Sequence, residues 1–273
     1  MKYSLAFSPC PNDTFITGAL VEKKISTLAE YSVHIADVEE LNRASENAVY
    51  DITKLSFHAY ALCADQYSIL PVGAALGFGN GPLIISKRKI FPDEIPFVKL
   101  AAPGKNTTAT MLAGFFFGKE LKISHYLFSD IEDVILSGEC DAGIIIHETR
   151  FTYQNKGLKK ICDLGEMWEK ETALPLPLGC FVIRNSIAAE IQKRIIADFS
   201  DSLDYAQKFP DSLSAFILKH SQINDKNITQ QHIDLYVNEF SKDLGETGRK
   251  AIHTLFEKAK EKGIIPDVRP VIL

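Results

Sequence analysis

Residues 140–146, Cys-Asp-Ala-Gly-Ile-Ile-Ile, form a nearly continuous apolar run that ends directly on His147, Glu148 and Arg150. A run this short is a strand, and one without polar alternation must be covered on both faces. That requirement constrains the chain to a mostly parallel sheet with helices packed on each side. The remaining sequence agrees, because short apolar runs alternate with amphipathic stretches from the start. Strands are expected at 3–7, 31–38, 51–55, 82–86, 98–102 and 180–183. Helices are expected from about residue 14 and over 38–49, 56–64, 107–117 and 130–136, with a mostly helical stretch after Ile187. The 273 residues suffice for two lobes, each with its own apolar centre. The apolar strands at 82–86 and 180–184 bracket the middle elements. They predict a first lobe from 1–88 and 178–273, with a second lobe, 89–177, inserted between them.

Composition narrows the function. A net charge of −5 with no basic run excludes the concentrated positive face that nucleic acid requires. No stretch approaches the roughly twenty apolar residues of a membrane span, so no membrane insertion is expected. The first residues, MKYSLAFSPCP, do not resemble a secretory leader. Five scattered cysteines form no CxxC pair, which fits reduced thiols and a cytoplasmic location. No His, Cys, Asp or Glu cluster has metal-ligand spacing, so no metal is expected.

Three strand-to-helix turns can face a ligand. In the first, SPCPNDT at 8–14, Asn12 or Asp13 is expected to cap the following helix and is a candidate ligand contact. Cys10 sits near that helix start but has no histidine close in sequence, which argues against a nucleophile. In the second, PGKNTT at 103–108, backbone N–H groups with Thr107 and Thr108 suit a carboxylate, although the spacing is not that of a P-loop. In the third, DITKLS at 51–56, Lys54 and Ser56 share one side of an extended segment, and Lys54 is expected to be solvated. His147 is the strongest candidate of all. A buried strand carries its imidazole to the carboxyl end, where α/β folds present reacting groups, and histidine titrates where a general base must. Together these features suit a small anionic molecule held in a cleft.

Six strings in order resemble the 1,4-dihydroxy-6-naphthoate synthases of the futalosine route to menaquinone. They are SPCPNDTF at 8–15, TKLSFHAY at 53–60, PGKNTTA at 103–109, DAGIIIHETRFTY at 141–153, DLGEMWEKETALPLPLG at 163–179 and HIDLYVNEFSKDLGE at 232–246. The resemblance implies a two-lobed type II periplasmic-binding-protein-like α/β fold with an interlobe cleft and no cofactor. It implies a carbon-carbon lyase that converts cyclic de-hypoxanthine futalosine to 1,4-dihydroxy-6-naphthoate. By motif, His147 would be the proton acceptor, and Lys54, Leu55, Ser56, Thr107 and Thr108 would line the substrate site. A non-catalytic solute-binding protein and the related chorismate dehydratase are the alternative readings.

Overall fold

The computed structural model describes residues 2–273. The first half of the chain forms β1 (Lys2–Phe7), α1 (Pro11–Val21), β2 (Glu30–Ile35), α2 (Val38–Ser45), β3 (Ile52–Ser56) and α3 (Phe57–Cys63). It continues with β4 (Tyr67–Ile69), β5 (Ala75–Gly77), β6 (Leu83–Ser86), β7 (Lys99–Ala102), α4 (Thr108–Phe117) and β8 (Lys122–His125). Next come α5 (Ile131–Ser137), β9 (Ala142–Ile145), β10 (Lys159–Asp163), α6 (Leu164–Thr172) and β11 (Leu176–Arg184). The helical remainder is α7 (Ala189–Lys208), α8 (Ser214–His220), α9 (Lys226–Tyr236), α10 (Glu239–Lys242) and α11 (Gly245–Glu261).

Two mixed sheets organise these elements into two lobes. The first has the order β2-β1-β3-β11-β4, with β5 also paired to β11, and the second has the order β10-β6-β9-β7-β8. Within them β2, β1 and β3 run parallel, as do β8, β7 and β9. The buried runs behave as their composition requires: β3, β6 and β9 are buried at every position. The edge strand β2 is mostly exposed. One apolar cluster joins the lobes, running from Leu55 and Val182 of the first sheet to Ile84 and Ile144 of the second.

The sheets are not the mostly parallel ones expected from sequence, because β6 and β11 run antiparallel to their neighbours and make both mixed. The lobe boundary differs too. Residues 83–86 pair with β9 and β10 of the second sheet, so the chain changes sheet between Gly77 and Leu83 and not near residue 88. An apolar run is equally at home in either sheet, and only the partner strands decide. Gly81 lies in this crossing, pressed against the start of α6. A Cβ at Gly81 would come within 2.2 Å of the Gly165 nitrogen, so no larger residue fits without displacing backbone.

The return strand also departs from expectation. The strand expected at 180–183 begins earlier, at Leu176, and Pro177 pairs with Leu76. The register shifts between Pro177 and Gly179, which takes Leu178 out of the ladder.

Candidate functional site

Four parallel strands end at one cavity. The chain leaves β1 at Ser8, β3 at Phe57, β7 at Pro103 and β9 at Ile146, and these are the carboxyl ends where open α/β sheets bind ligands. The cavity encloses about 640 Å³, its open mouth included. Its wall includes all the sequence candidates: Asn12, Asp13, Lys54, Leu55, Ser56, Thr107, Thr108 and His147. Ser8, Asn80, His232 and Tyr236 add to the polar lining, and sequence reasoning did not single them out as ligand contacts.

The floor is a buried ion pair. Lys54 Nζ donates to Asp13 Oδ1 at 2.6 Å, and neither side chain is more than 5% exposed. Asp13 Oδ2 accepts from the Ser8 hydroxyl at 2.7 Å, and Asp13 Oδ1 also accepts from Asn12 Nδ2 at 2.8 Å. The Lys54 ammonium also donates to Gly73 O at 3.3 Å and lies 4.6 Å from the centre of the Phe181 ring. Lys54 is therefore not the solvated charge expected from sequence, because Asp13, 41 residues away, neutralises it. Neither Asn12 nor Asp13 caps α1. The helix begins earlier, at Pro11 after Cys10, whose side chain makes no cap bond, and proline at the first helical position removes one N–H that would need a cap. Asn12 and Asp13 then turn inward in the first turn of the helix and are fully enclosed.

The turn at 103–106 is already occupied by a carboxylate of the protein itself. Glu39 from α2 accepts from Lys105 N at 2.9 Å and from Asn106 N at 3.2 Å. Gly104, at φ +131°, makes room for it, since a Cβ there would meet the Glu39 carboxyl at 2.6 Å. The N–H groups expected to receive a ligand thus hold a first-lobe side chain instead. Thr107 caps α4, its hydroxyl accepting from Thr110 N at 3.2 Å. The Thr108 hydroxyl accepts from Phe57 N at 3.0 Å and donates to Leu178 O at 2.6 Å. That carbonyl is free to accept because the β11 bulge takes Leu178 out of the ladder. Thr108 is thus a strut between the lobes, so Thr108→Val should leave a buried donor and a buried acceptor unpaired. We expect a loss of about 1–3 kcal/mol in urea-monitored stability. An unchanged midpoint would show that the strut carries no stability.

His147 occupies an unusual backbone position. It opens the single turn His147–Phe151 with φ +61°, a left-handed conformation that side chains other than glycine seldom adopt. Arg150 fixes the turn by donating to the carbonyls of Gly79 and Gly81 and pairing with Asp163 at 3.0 Å. The imidazole packs edge-on against Phe128, with ring centres 4.7 Å apart, and lies nearly parallel to His232 at 6.2 Å. Its Nδ1 is 3.2 Å from Cys10 Sγ, while its Nε2 is buried without a partner among the described residues. The histidine missing from the sequence neighbourhood of Cys10 therefore comes from 137 residues away. Burial, above all, lowers the His147 pKa to about 4, helped by Lys54 and opposed by Asp13. Burial likewise pushes the Cys10 thiol well up, with Glu148 and Asp13 adding to the effect. At neutral pH the pair is a thiol beside a neutral imidazole.

His232 is held from the other side. Asn12 gives its amide N–H to Asp13, so its oxygen faces His232 Nε2 at 2.9 Å and places the imidazole proton there. The other ring nitrogen, Nδ1, is buried without a partner among the described residues. Burial first, then His147 and Lys54, depress its pKa well below the ordinary value. A histidine kept neutral by the fold binds its proton more readily when unfolded, so stability is complete above about pH 6.5 and falls as pH drops below it. The buried Glu148 carboxyl is shifted upward and opposes part of this trend, so the His232 contribution must be read by difference. Between pH 6 and 5 the stability of the wild type should decline more steeply than that of His232→Gln by roughly 1.4 kcal/mol per pH unit. Parallel pH profiles would exclude this role for His232.

A family model for menaquinone biosynthesis matches residues 3–261. The chain belongs to this menaquinone-biosynthesis family. It is 35% identical over 271 residues to a 1,4-dihydroxy-6-naphthoate synthase of Streptomyces coelicolor, covering 97% of this chain and 95% of the relative. It is 36% identical over 270 residues to the synthase of that name from Thermus thermophilus, covering 98% of both. A crystal structure of an Archaeoglobus fulgidus protein superposes with a TM-score of 0.92 at 34% identity, covering 97% of this chain and 98% of that one. The alkanesulfonate-binding protein of Xanthomonas axonopodis superposes at 0.75 with 9% identity, covering 97% and 94%, which shows that the family shares the periplasmic-binding-protein fold. No described helix is long and apolar enough to cross a membrane.

Proposed function

We propose that the protein is a lyase acting on a small anionic substrate, cyclic de-hypoxanthine futalosine, which it converts to 1,4-dihydroxy-6-naphthoate. The observation that carries this reading is a neutral imidazole, His147, held at the carboxyl end of β9 in the wall of the cleft. The base role requires the tautomer with the proton on Nδ1, directed at Cys10 Sγ, which leaves the lone pair on the unpartnered Nε2. This nitrogen removes a carbon-bound proton next to a carbonyl. The released electron pair cleaves the bond to the sugar-derived portion, and formation of the aromatic naphthoate drives the step.

Substrate contacts fall to Lys54, Leu55, Ser56, Thr107 and Thr108, with Asn12 and Asp13 behind them. The Lys54–Asp13 pair presents a nearly neutral floor, so the substrate carboxylate falls to the N–H groups of Thr107, Thr108 and Ala109 at the start of α4, beyond those that Glu39 occupies. The two sheet crossings, at 78–82 and 173–175, are the natural hinge of the two lobes. Five free cysteines suit an enzyme working in the reducing cytoplasm. No metal or cofactor takes part in the reaction. Protein dialysed against a chelator and incubated with the cyclic futalosine derivative should develop the absorbance of the dihydroxynaphthoate. Tight binding without product would assign the chain to solute binding, and a requirement for added metal would refute the cofactor-free reaction.

A further inference from the structure

Glu148 is a buried acid with no well-formed hydrogen bond, the backbone of Gln222 and its own N–H lying near enough only to ease its charge. It is 1% exposed, and both carboxylate oxygens lack a hydrogen-bond partner among the described residues. Native structures rarely leave such a group unsatisfied. Cys10, also 1% exposed, and His147 stand beside it, and one ligand atom from each of the three lies within 4.8 Å of the others. Cys10 Sγ and His147 Nδ1 are already 3.2 Å apart. Zinc holds sulfur at about 2.3 Å and nitrogen or oxygen at about 2.0–2.2 Å, which places tetrahedral donors roughly 3.3–3.8 Å from one another. Binding an ion requires the three donors to close from within 4.8 Å to that spacing. Thiolate, imidazole and carboxylate form a donor set that favours zinc over magnesium or calcium.

We propose that Cys10, His147 and Glu148 form a site for a thiophilic divalent cation, Zn²⁺ foremost, and that its occupancy shuts the enzyme off. The Cys10 thiol releases its proton to the buffer as the zinc–sulfur bond forms, and no electrons are exchanged. The ion takes a ring nitrogen of His147. Cys10 follows β1 of the first sheet, whereas His147 and Glu148 follow β9 of the second, so the ion also ties the lobes together. The binding claim stands on the three side chains alone, while the loss of turnover rests on the base role proposed for His147.

Metal-stripped protein should bind one Zn²⁺ per chain by calorimetry. Both Cys10→Ser and Glu148→Gln should weaken that binding at least tenfold, with thermal melts confirming that each variant is folded. Co²⁺ as a probe should give the near-ultraviolet thiolate-to-cobalt absorption in the wild type and not in Cys10→Ser. Stoichiometric Zn²⁺ should abolish turnover, and a chelator should restore it. Equal zinc affinity in wild type and both folded variants, or no cobalt–thiolate band, would overturn the site. Zinc that binds at these residues and leaves turnover unchanged or raises it would overturn the inhibition. The cobalt band does not depend on the substrate, so it survives even if the proposed lyase reaction fails.

Discussion

His147→Asn should fold normally and lose at least roughly 10²–10⁴-fold in turnover, the contribution typical of a positioned base. Asparagine is well chosen because it tolerates the left-handed backbone that His147 adopts. It also offers an amide of similar reach that does not titrate near neutrality. Ligand binding, followed by calorimetry, should survive. For the wild type, the acidic limb of kcat/KM should fall well below pH 6.5, toward the lowered pKa of about 4. Near-normal turnover in a folded His147→Asn protein would move the base elsewhere, and His232 would be the first residue to test.

The second large effect concerns stability. Asp13→Asn should destabilise the protein by about 3–5 kcal/mol, because it leaves the Lys54 ammonium buried without its counter-charge. The cost lies in the stranded charge and not in the lost attraction. Replacing both partners with apolar residues, Asp13→Leu with Lys54→Met, should therefore recover much of the loss. Urea denaturation of the three proteins separates these contributions. A single variant as stable as the wild type would show that water or rearrangement reaches Lys54.

Much of this architecture can be read in the sequence because it depends on local pattern. The buried runs behind β3, β6 and β9 announce a covered sheet, and the residues that follow β1, β3, β7 and β9 fall where such sheets bind ligands. What the pattern could not assign was partnership. Nothing local tells residues 83–86 which sheet they will join, or tells Lys54 that a carboxylate 41 positions earlier will neutralise it. The anion-ready turn at 103–106 looked open because its occupant, Glu39, comes from the other lobe. His232 was passed over for the same reason. Its value comes from Asn12, 220 residues away, which fixes its tautomer. A local hint existed in the spacing of His232 and Tyr236, one helical turn apart on α9 and so on one face.

The left-handed backbone at His147 has an evolutionary consequence. A residue other than glycine or asparagine in that conformation costs of order 1–3 kcal/mol, and the surrounding turn, pinned by Arg150, tolerates it. Glycine at position 147 would therefore make a sturdier protein and, with the proposed base gone, an inactive one. Laboratory selection for heat resistance alone, with no demand for product, should drift toward glycine or asparagine there. Lineages that must keep making product are bound to keep the weaker choice, so position 147 marks where this chain has given up robustness to aim one imidazole.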